Sequence, residues 1–297
     1  MIPILLHQLI DYLNKLISQQ LITQDSRIVL VDDGSTDRTW KLIDESIDSL
    51  PVIGLKFSRN FGHQYALLAG LMETKGQADI YVSIDADLQD DIHAIEEMII
   101  EFNKGYEIVA GVRRERKNDT WFKRNTALFF YKFSRFLGID MIPNHADFRL
   151  LSQRAVDTLA DYTETNLFLR GTIPLMGYPT SKVYYDRKIR LKGSTKYSLK
   201  KMVALAFNGI TSLSIAPMKW IRNLGFLCTA FGILYMVYVL ILKLLGNTVQ
   251  GWASLMITQW ILSGFIMTAV GLHGEYTGKI YLETKKRPRY IIEERRE

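Results

Sequence analysis

Two long stretches without a charged side chain limit the possible folds of this chain more than any other feature of its sequence. Leu224–Leu242 and Ala253–Leu272 each contain enough residues to cross the hydrocarbon core of a bilayer as an α-helix. The connection Leu244–Trp252 has no Lys or Arg, whereas basic residues lie before the first stretch and after the second. This asymmetry predicts a hairpin of two transmembrane helices, with both chain ends in the cytoplasm and the protein in the plasma membrane. A hairpin buried inside a soluble protein is the alternative.

The two uncharged stretches divide the chain into four regions. We predict a cytoplasmic domain over residues 1–197, a juxtamembrane amphipathic helix over 198–219, a transmembrane hairpin over 220–275 and a basic cytoplasmic tail over 276–297. The amphipathic segment follows many basic residues, which favours a position in the lipid headgroup layer. A helix packed on the core of the globular domain is the alternative.

The charge of the chain favours anionic partners. Its formal net charge is +6 and its pI is about 9.2, which suits phosphates and acidic lipid headgroups. Basic residues are scattered through the sequence and no nucleic-acid-binding module is recognisable, so we expect no nucleic-acid partner. Cys228 is the only cysteine, which excludes a disulfide framework and a multi-cysteine zinc site.

Short apolar runs alternate with amphipathic segments before the uncharged stretches. The predicted strands are Arg27–Val31, Val52–Phe57, Ile80–Ile84 and Glu107–Ala110. The predicted helices are an N-terminal amphipathic helix, Arg38–Leu50, His63–Glu73 and Ala94–Asn103. This alternation predicts an α/β fold with a Rossmann-like, mainly parallel sheet covered by helices on both faces. Ligands of such sheets bind beyond the carboxyl ends of the strands.

Acidic residues follow two of these strands at that edge. Asp85 and Asp87 are separated by one residue, so both carboxylates can face one hard cation such as Mg²⁺ or Mn²⁺, with Gln89 as a further oxygen ligand. Solvated carboxylates of a turn are the alternative. Such a cation can bridge the adjacent oxygens of a nucleotide-sugar diphosphate. It would then stabilise the negative charge that develops on the nucleoside diphosphate as this group leaves.

The earlier loop has carboxylates and a hydroxyl suited to a nucleoside. Asp32, Asp33 and Ser35 can accept hydrogen bonds from a nucleobase and a ribose. A turn followed by a helix N-cap, with Ser35 or Asp37 as the cap, is the alternative. The two interpretations are compatible, because capping and ligand contact use different atoms.

Seven motifs in order carry a resemblance to a known family. They are Val31-Asp-Asp-Gly-Ser-Thr-Asp, Ser58-Arg-Asn-Phe-Gly-His-Gln, Asp85-Ala-Asp-Leu-Gln, Asp147-Phe-Arg-Leu, Phe168-Leu-Arg-Gly, Arg190-x-x-Gly-x-Thr-Lys-Tyr and Gly274-Glu-Tyr-x-Gly-Lys-Ile-Tyr. Together they resemble the family 2 glycosyltransferases of the dolichyl- or undecaprenyl-phosphate sugar-synthase type. The resemblance extends over nearly the whole chain.

That resemblance implies an inverting transferase with a GT-A fold. The donor would be a nucleotide-sugar, a UDP-sugar in preference to a GDP-sugar, and the acceptor would be polyprenyl (undecaprenyl) phosphate. A hexose or N-acetylhexosamine would be transferred with the help of Mg²⁺ or Mn²⁺. The implied catalytic residues are Asp87 and Asp147, with Asp85, Asp87 and Gln89 on the metal. The identity of the sugar and the existence of a homo-oligomer stay open.

The donor and the acceptor are both anionic, so basic side chains are required where they meet. The resemblance indicates which residues supply this positive charge. The residues that would bind phosphates are Arg113 on the donor and Arg124, Arg190 and Lys196 on the acceptor. Guanidinium groups match phosphate geometry and keep their charge when desolvated. For each arginine, a surface salt bridge or a lipid-headgroup contact is the alternative.

Asp147 would lie beside the acceptor, where the usual role is general base. A phosphate monoester has a second pKa of about 6 and is mostly dianionic at neutral pH. It therefore hardly needs deprotonation, and we expect Asp147 to orient the acceptor or a basic neighbour. A helix cap or an ion pair with Arg149 is the alternative. For His63 we expect a structural role at the start of its helix.

The chain departs from the family pattern at its beginning. The family has an additional apolar strand there, which would lie beside Arg27–Val31 and complete the nucleotide pocket. Either the true start lies upstream, which we favour because an absent central strand leaves backbone groups unpaired, or this product binds the donor poorly. The alternatives to a polyprenyl-phosphate enzyme are a non-catalytic or impaired membrane scaffold derived from a transferase and a polysaccharide synthase. The absence of an Arg-Trp pair disfavours the synthase.

Overall fold

The computed structural model describes residues 2–114, 145–165, 168–186, 211, 214–245 and 251–297. The helices are α1 (Ile2–Ser18), α2 (Thr39–Ile47), α3 (His63–Glu73), α4 (Ala94–Asn103), α5 (Gln153–Ala160), α6 (Leu169–Leu175), α7 (Ala216–Leu244) and α8 (Trp252–Thr284). The strands are β1 (Ile28–Asp32), β2 (Val52–Phe57), β3 (Ile80–Ser83), β4 (Ile108–Arg113), β5 (His145–Ser152), β6 (Thr180–Tyr185) and β7 (Ile292–Arg296). Most of the predicted helix over 198–219 lies outside the described residues.

The alternating pattern of the sequence is confirmed from α1 to β4. The helix His63–Glu73, the helix Ala94–Asn103 and the strand Val52–Phe57 have the predicted boundaries. The other boundaries up to β4 differ by a few residues, because element ends are less well defined than element interiors. Apolar runs therefore identified the strands β1 to β4 correctly.

The strands form two mixed sheets, so the prediction of a mainly parallel sheet is wrong. The first sheet has the order β1-β2-β7 and the second has the order β3-β5-β4-β6. β1–β2 and β4–β6 are parallel, whereas β2–β7, β3–β5 and β4–β5 are antiparallel. The reason is that β5, to which the sequence analysis assigned no strand, runs between β3 and β4 in the opposite direction.

The last strand comes from the segment predicted as a basic tail. β7 pairs with β2, with Gly54 opposite Arg296 and Leu55 opposite Arg295. On the outer edge Lys56 Nζ lies 2.8 Å from a carboxylate oxygen of Glu294. The charged residues of β7 form ion pairs with Lys56, Glu73 and Asp44 on the domain surface, and the strand extends the sheet.

Two helices connect the sheets through the hydrophobic core. α1 has one set of buried residues, including Leu5 and Leu6, against β1 and β2, and another, Tyr12 and Leu16, against the second sheet. α3 packs against β1, while its Leu68 is buried in the cluster formed with α5 and α6. Burial of each large apolar side chain contributes about 1.5–3 kcal/mol, so these contacts hold the sheets together without strand pairing between them.

A cavity lies between the facing edges of the two sheets. Its volume is about 930 Å³, and residues of β1, β3, α1 and α3 line it. Among the described strands, β1 and β3 each have a partner on one side only. This gap is where the resemblance places an additional strand, and that strand stays a prediction.

The helices α7 and α8 are the longest elements, with 29 and 33 residues. Both expose large apolar side chains; Phe226 is 68% exposed and Met267 is 76% exposed. Among the described helices, none combines the length and the apolar content that crossing a membrane requires. The transmembrane hairpin therefore stays a prediction.

Contacts with the globular domain fix the end of α8. The backbone N–H of Thr165 donates to a carboxylate oxygen of Glu283 at 2.8 Å, and Arg289 donates to the carbonyl of Tyr162 at 2.7 Å. Just beyond, the ring of Tyr290 stacks on Phe57 of β2, with 5.4 Å between centroids. The chain thus returns to the sheet immediately after α8.

Candidate active site

The first loop of the candidate site follows β1. Asp32 is 2% exposed, and its Oδ1 accepts a hydrogen bond from the backbone N–H of Ser35 at 3.2 Å. Its Oδ2 is buried and has no hydrogen-bond partner among the described residues. A buried carboxylate oxygen left without a donor is costly, so Asp32 is suited to a ligand that supplies an N–H or O–H.

Asp33, in the same loop, binds backbone N–H groups of the loop before α3. Its carboxylate accepts the backbone N–H groups of Phe61, at 2.7 Å, and Gly62, at 2.9 Å, and so fixes the loop before α3. Gly34 makes this approach feasible, because its φ is +67° and a Cβ there would lie 2.3 Å from the carbonyl carbon of Arg59. Asp33 therefore orders the two loops at the rim of the cavity, and a contact with the donor stays a proposal.

Arg38, at the N-cap position of α2, makes no side-chain cap hydrogen bond, but Asp37 just before it contacts the first turn of the helix. The backbone N–H of Thr39, the first residue of α2, donates to Asp37 Oδ1 at 2.9 Å. Ser35 lines the cavity instead. The start of the helix and the candidate nucleoside contacts thus use different residues.

The predicted metal ligands lie in the loop after β3. Asp85 lines the cavity, and the backbone N–H of Gln89 donates to Asp87 Oδ1 at 3.1 Å. Leu88 between them has a φ of +57°, a conformation that few side chains adopt and that folds the loop back on itself. Burial raises the pKa of Asp85, and the charges of Asp90, Asp147 and Asp87 raise it further.

This electrostatic arrangement fits a divalent cation. Negative groups gathered around a partly buried carboxylate repel one another, and a cation relieves that repulsion. In the part of the chain that the structure describes, no three His, Cys, Asp or Glu residues are placed to hold a metal together. The remaining ligands of a cation on Asp85 and Asp87 would therefore be oxygens of a bound diphosphate, with Gln89, which is buried, as the other predicted candidate.

Arg113 is held beside this loop by two residues that the sequence interpretation missed. Its Nη2 donates to Asp90 Oδ1 at 3.3 Å, and its Nε donates to the hydroxyl of Tyr185 at 3.2 Å. The Tyr185 hydroxyl donates to Asp90 Oδ1 at 2.7 Å, and burial together with this bond raises the pKa of Tyr185. Asp90 follows Gln89 directly, so extending the motif by one residue would have found it; nothing in the sequence marks Tyr185.

Asp147 is paired with two arginines. Arg170 forms a bidentate contact, from Nε to Asp147 Oδ1 at 3.0 Å and from Nη2 to Oδ2 at 2.8 Å, and Arg149 Nη2 donates to Oδ1 at 2.9 Å. His63 Nε2 lies 3.8 Å from Oδ2. Burial acts to raise the pKa of Asp147, but Arg170, Arg149 and His63 outweigh it and bring the pKa down to about 2. The ion pair with Arg149 that was the alternative is thus present, together with Arg170.

The site has two halves of opposite charge. Asp32, Asp85, Asp87 and Asp90 make one half acidic, whereas His63, Arg149 and Arg170 surround Asp147 on the other. Asp85 and Asp147 both line the cavity. Arg170 belongs to a motif already noted in the sequence, but only the fold places it on Asp147. The predicted phosphate ligands Arg124, Arg190 and Lys196 lie outside the described residues.

Comparison with known proteins agrees with this geometry. Residues 6–160 match the sequence profile of glycosyl transferase family 2. The chain belongs to glycosyl transferase family 2. This confirms the family seen in the motifs and establishes that the protein is a glycosyltransferase.

The relatives of this family 2 transferase extend over most of its length. It is 51% identical over 288 residues to the uncharacterized glycosyltransferase YkoT of Bacillus subtilis, covering 97% of this chain and 86% of that one. It is 37% identical over 281 residues to the bactoprenol glucosyl transferase of Shigella phage SfX, covering 94% and 92% of the two chains. It is also 37% identical over 277 residues to the prophage bactoprenol glucosyl transferase homolog of Escherichia coli, covering 92% and 90%.

Proposed function

We propose that this family 2 transferase moves a hexose or N-acetylhexosamine from a nucleotide-sugar to undecaprenyl phosphate, with inversion at the anomeric carbon. The observation that carries the proposal is the charge layout of the cavity, in which a buried acidic half adjoins the arginine-paired Asp147. The names of the relatives, which include bactoprenol glucosyl transferases, support a polyprenyl-phosphate acceptor.

The acidic half would hold the donor. Asp32 Oδ2, buried without a partner in the part of the chain that the structure describes, would accept an N–H of the nucleobase, and Ser35 at the cavity wall would contact the ribose. Asp33 would act on the same donor by keeping the loop before α3 in place. A base with an N–H beside its carbonyl groups, as in a UDP-sugar, suits a lone carboxylate oxygen.

The loop after β3 would hold the diphosphate of the donor. Asp85 and Asp87, with Gln89, would bind Mg²⁺ or Mn²⁺, which when bound neutralises charge on the departing nucleoside diphosphate. Arg113 would add a second positive group at the same phosphates, because Asp90 and Tyr185 fix the direction of its guanidinium. We keep Asp87 as a catalytic residue on these grounds.

The helix pair α7–α8 would hold the enzyme at the cytoplasmic face of the plasma membrane. Exposed apolar side chains along both helices support contact with lipid. β7 follows α8 directly and pairs with β2, which supports a position of the end of α8 beside the catalytic domain. A domain tethered in this way meets a lipid-borne acceptor at high effective concentration.

A transfer assay tests the proposal. Membranes that contain the full-length protein are supplied with Mn²⁺ and a panel of radiolabelled UDP- and GDP-sugars, and label is measured in the chloroform-extractable lipid. We expect incorporation from a UDP-sugar, and loss of at least about 100-fold in Asp87→Asn because the cation site is weakened. Asp11→Asn, which removes an exposed carboxylate on α1, is the matched control and should keep full activity.

Two results would contradict the proposal. Full incorporation by Asp87→Asn would reject the cation site, and labelling of a polymer instead of a lipid would identify a polysaccharide synthase. A non-catalytic scaffold is a second candidate, because β1 and β3 face an open gap where a central strand is predicted. Titration of UDP into the full-length protein separates the two, since a scaffold would bind no nucleotide.

A further inference from the structure

The carboxylate of Asp147 holds the guanidinium of Arg170 in an orientation that suits the binding of a ligand. Two nitrogens of Arg170 donate to the two carboxylate oxygens of Asp147, with N···O distances of 3.0 and 2.8 Å. Asp147 is 4% exposed, whereas the side chain of Arg170 is 37% exposed. A buried carboxylate that grips one edge of a partly exposed guanidinium fixes its plane and direction.

Several basic groups surround this pair. Arg149, almost completely buried, donates to the same carboxylate, so Asp147 accepts hydrogen bonds from two guanidinium groups. His63 lines the cavity, is 64% exposed and lies 3.8 Å from Asp147. Such an arrangement suits an anion that approaches from the cavity, opposite the acidic half of the site.

Resting on the proposed function, we propose that Arg170 and His63 bind the phosphate of the lipid acceptor, and that Asp147 is a positioning residue that fixes Arg170. Both oxygens of Asp147 are occupied by arginine hydrogen bonds in the described structure. The low pKa of Asp147, about 2, agrees with a carboxylate that serves as a fixed anion and not as a proton acceptor.

The transfer step balances without a base. An oxygen of the phosphate dianion attacks the anomeric carbon, the bond from that carbon to the nucleoside diphosphate breaks, and the electron pair leaves with the diphosphate. No proton has to leave the nucleophile when the phosphate is dianionic. The acceptor therefore needs orientation and charge neutralisation, which Arg170 supplies.

Steady-state kinetics of the purified full-length protein, with a short-chain polyprenyl phosphate as acceptor, tests the assignment. We expect Arg170→Gln to raise the KM for the acceptor about 10-fold or more while the KM for the nucleotide-sugar stays within about 2-fold. Asp147→Asn should raise the same KM about 5-fold with a smaller change in kcat, and Arg170→Lys should recover part of the loss. Arg154→Gln is the matched control, because Arg154 also pairs with a carboxylate, but its partner is Glu107 and not the cavity-lining Asp147.

General-base catalysis predicts a different pattern. Asp147→Asn would then lower kcat by about 10²–10⁴-fold with an unchanged acceptor KM, and that result overturns the proposal. An unchanged acceptor KM in Arg170→Gln overturns it as well. Should Arg170→Gln fail to fold, as judged by its circular dichroism, Arg170→Lys and His63→Gln provide the same comparison.

A binding measurement separates this inference from the proposed function. Farnesyl phosphate should raise the melting temperature of the wild type and not of Arg170→Gln, and the uncharged alcohol farnesol should raise neither. This result in a protein that transfers no sugar to lipid would retain the phosphate site and reject the proposed reaction. Lipid transfer with equal stabilisation of both proteins by farnesyl phosphate would retain the reaction and reject the site.

Discussion

The surroundings of Asp85 disfavour a negative charge on its carboxyl group. Burial and the carboxylates of Asp90, Asp147 and Asp87 all raise its pKa, and only Arg113 acts in the other direction. Asp147, a neighbour in the same cavity, has the opposite balance because two arginines contact it. Two carboxylates of one site are thus held in different electrostatic states, one suited to a cation and one suited to hold cations of the protein itself.

Removal of the Asp85 charge should stabilise the protein in the absence of a cation. We expect Asp85→Asn to raise the melting temperature in EDTA, by about 2–4 °C for each kcal/mol of repulsion relieved. Added Mn²⁺ should stabilise the wild type in the presence of UDP and leave Asp85→Asn unaffected. Differential scanning calorimetry of both proteins measures this, and a lower melting temperature for the variant in EDTA would contradict the account.

The ion pairs of Asp147 with Arg149 and Arg170 make the stability of the folded protein decrease at acidic pH. The pKa of Asp147 in the folded protein is about 2, below the value of about 3.9 in an unfolded chain, so its contribution is complete above pH ~4 and is lost as the pH falls towards 2. We expect the wild type to lose about 2 kcal/mol relative to Asp147→Asn between pH 5 and pH 2. Urea unfolding of both proteins across this range gives the difference, and a difference independent of pH would refute it.

At the scale of elements, the site depends on close approach of loops and on strands that run in opposite directions. The loop after β1 lies against the loop before α3, and Gly34 occupies the contact. β5 runs antiparallel between β3 and β4, which brings Asp147 and Arg149 to the same edge as Asp85. The mixed pairing is therefore what assembles the two charged halves of the cavity.

Gly34 should tolerate no side chain. A Cβ at this position meets the backbone of Arg59 at 2.3 Å, in addition to the strain of a φ of +67°, so we expect Gly34→Ala to cost about 2 kcal/mol or more. Gly76→Ala is the matched control, because Gly76 has a φ of +82° and nothing within 4 Å of the added carbon, so it should cost only about 1 kcal/mol. Equal losses in chemical denaturation would show that the close contact does not matter.

At the scale of the whole molecule, the chain leaves the catalytic domain, forms the long helices α7 and α8 and returns to the same sheet. Tyr290 stacks on Phe57, Arg289 binds the carbonyl of Tyr162, and β7 extends the sheet beside β2. The end of α8 is thus attached to the sheet of the domain. These contacts fix the domain relative to the end of the helix that we propose to contact lipid.

Loss of β7 should weaken the catalytic domain although it is the last element of the chain. We expect truncation after Ile291 to cost about 2–4 kcal/mol, since several backbone hydrogen bonds of about 0.5–1.5 kcal/mol each disappear from the edge of β2. Limited proteolysis of the full-length and truncated proteins in membranes measures the effect as faster cleavage within residues 2–114. Arg295→Gln, which keeps the strand, is the control and should be cleaved at the wild-type rate.

Local sequence signals were sufficient to predict the first elements of the fold and the family. Apolar runs and helical periodicity located α1 to β4, and the motifs identified the family and the acidic loops, because these signals depend only on neighbouring residues. The pairing of the strands, the place of β7 in a sheet and the contribution of Arg170 and Tyr185 to the site are visible only in the folded protein. Those features depend on contacts between residues far apart in the chain, such as Asp147 with Arg170 and Asp90 with Tyr185. Such contacts exist only after hydrophobic burial has brought the elements together, so no local pattern encodes them.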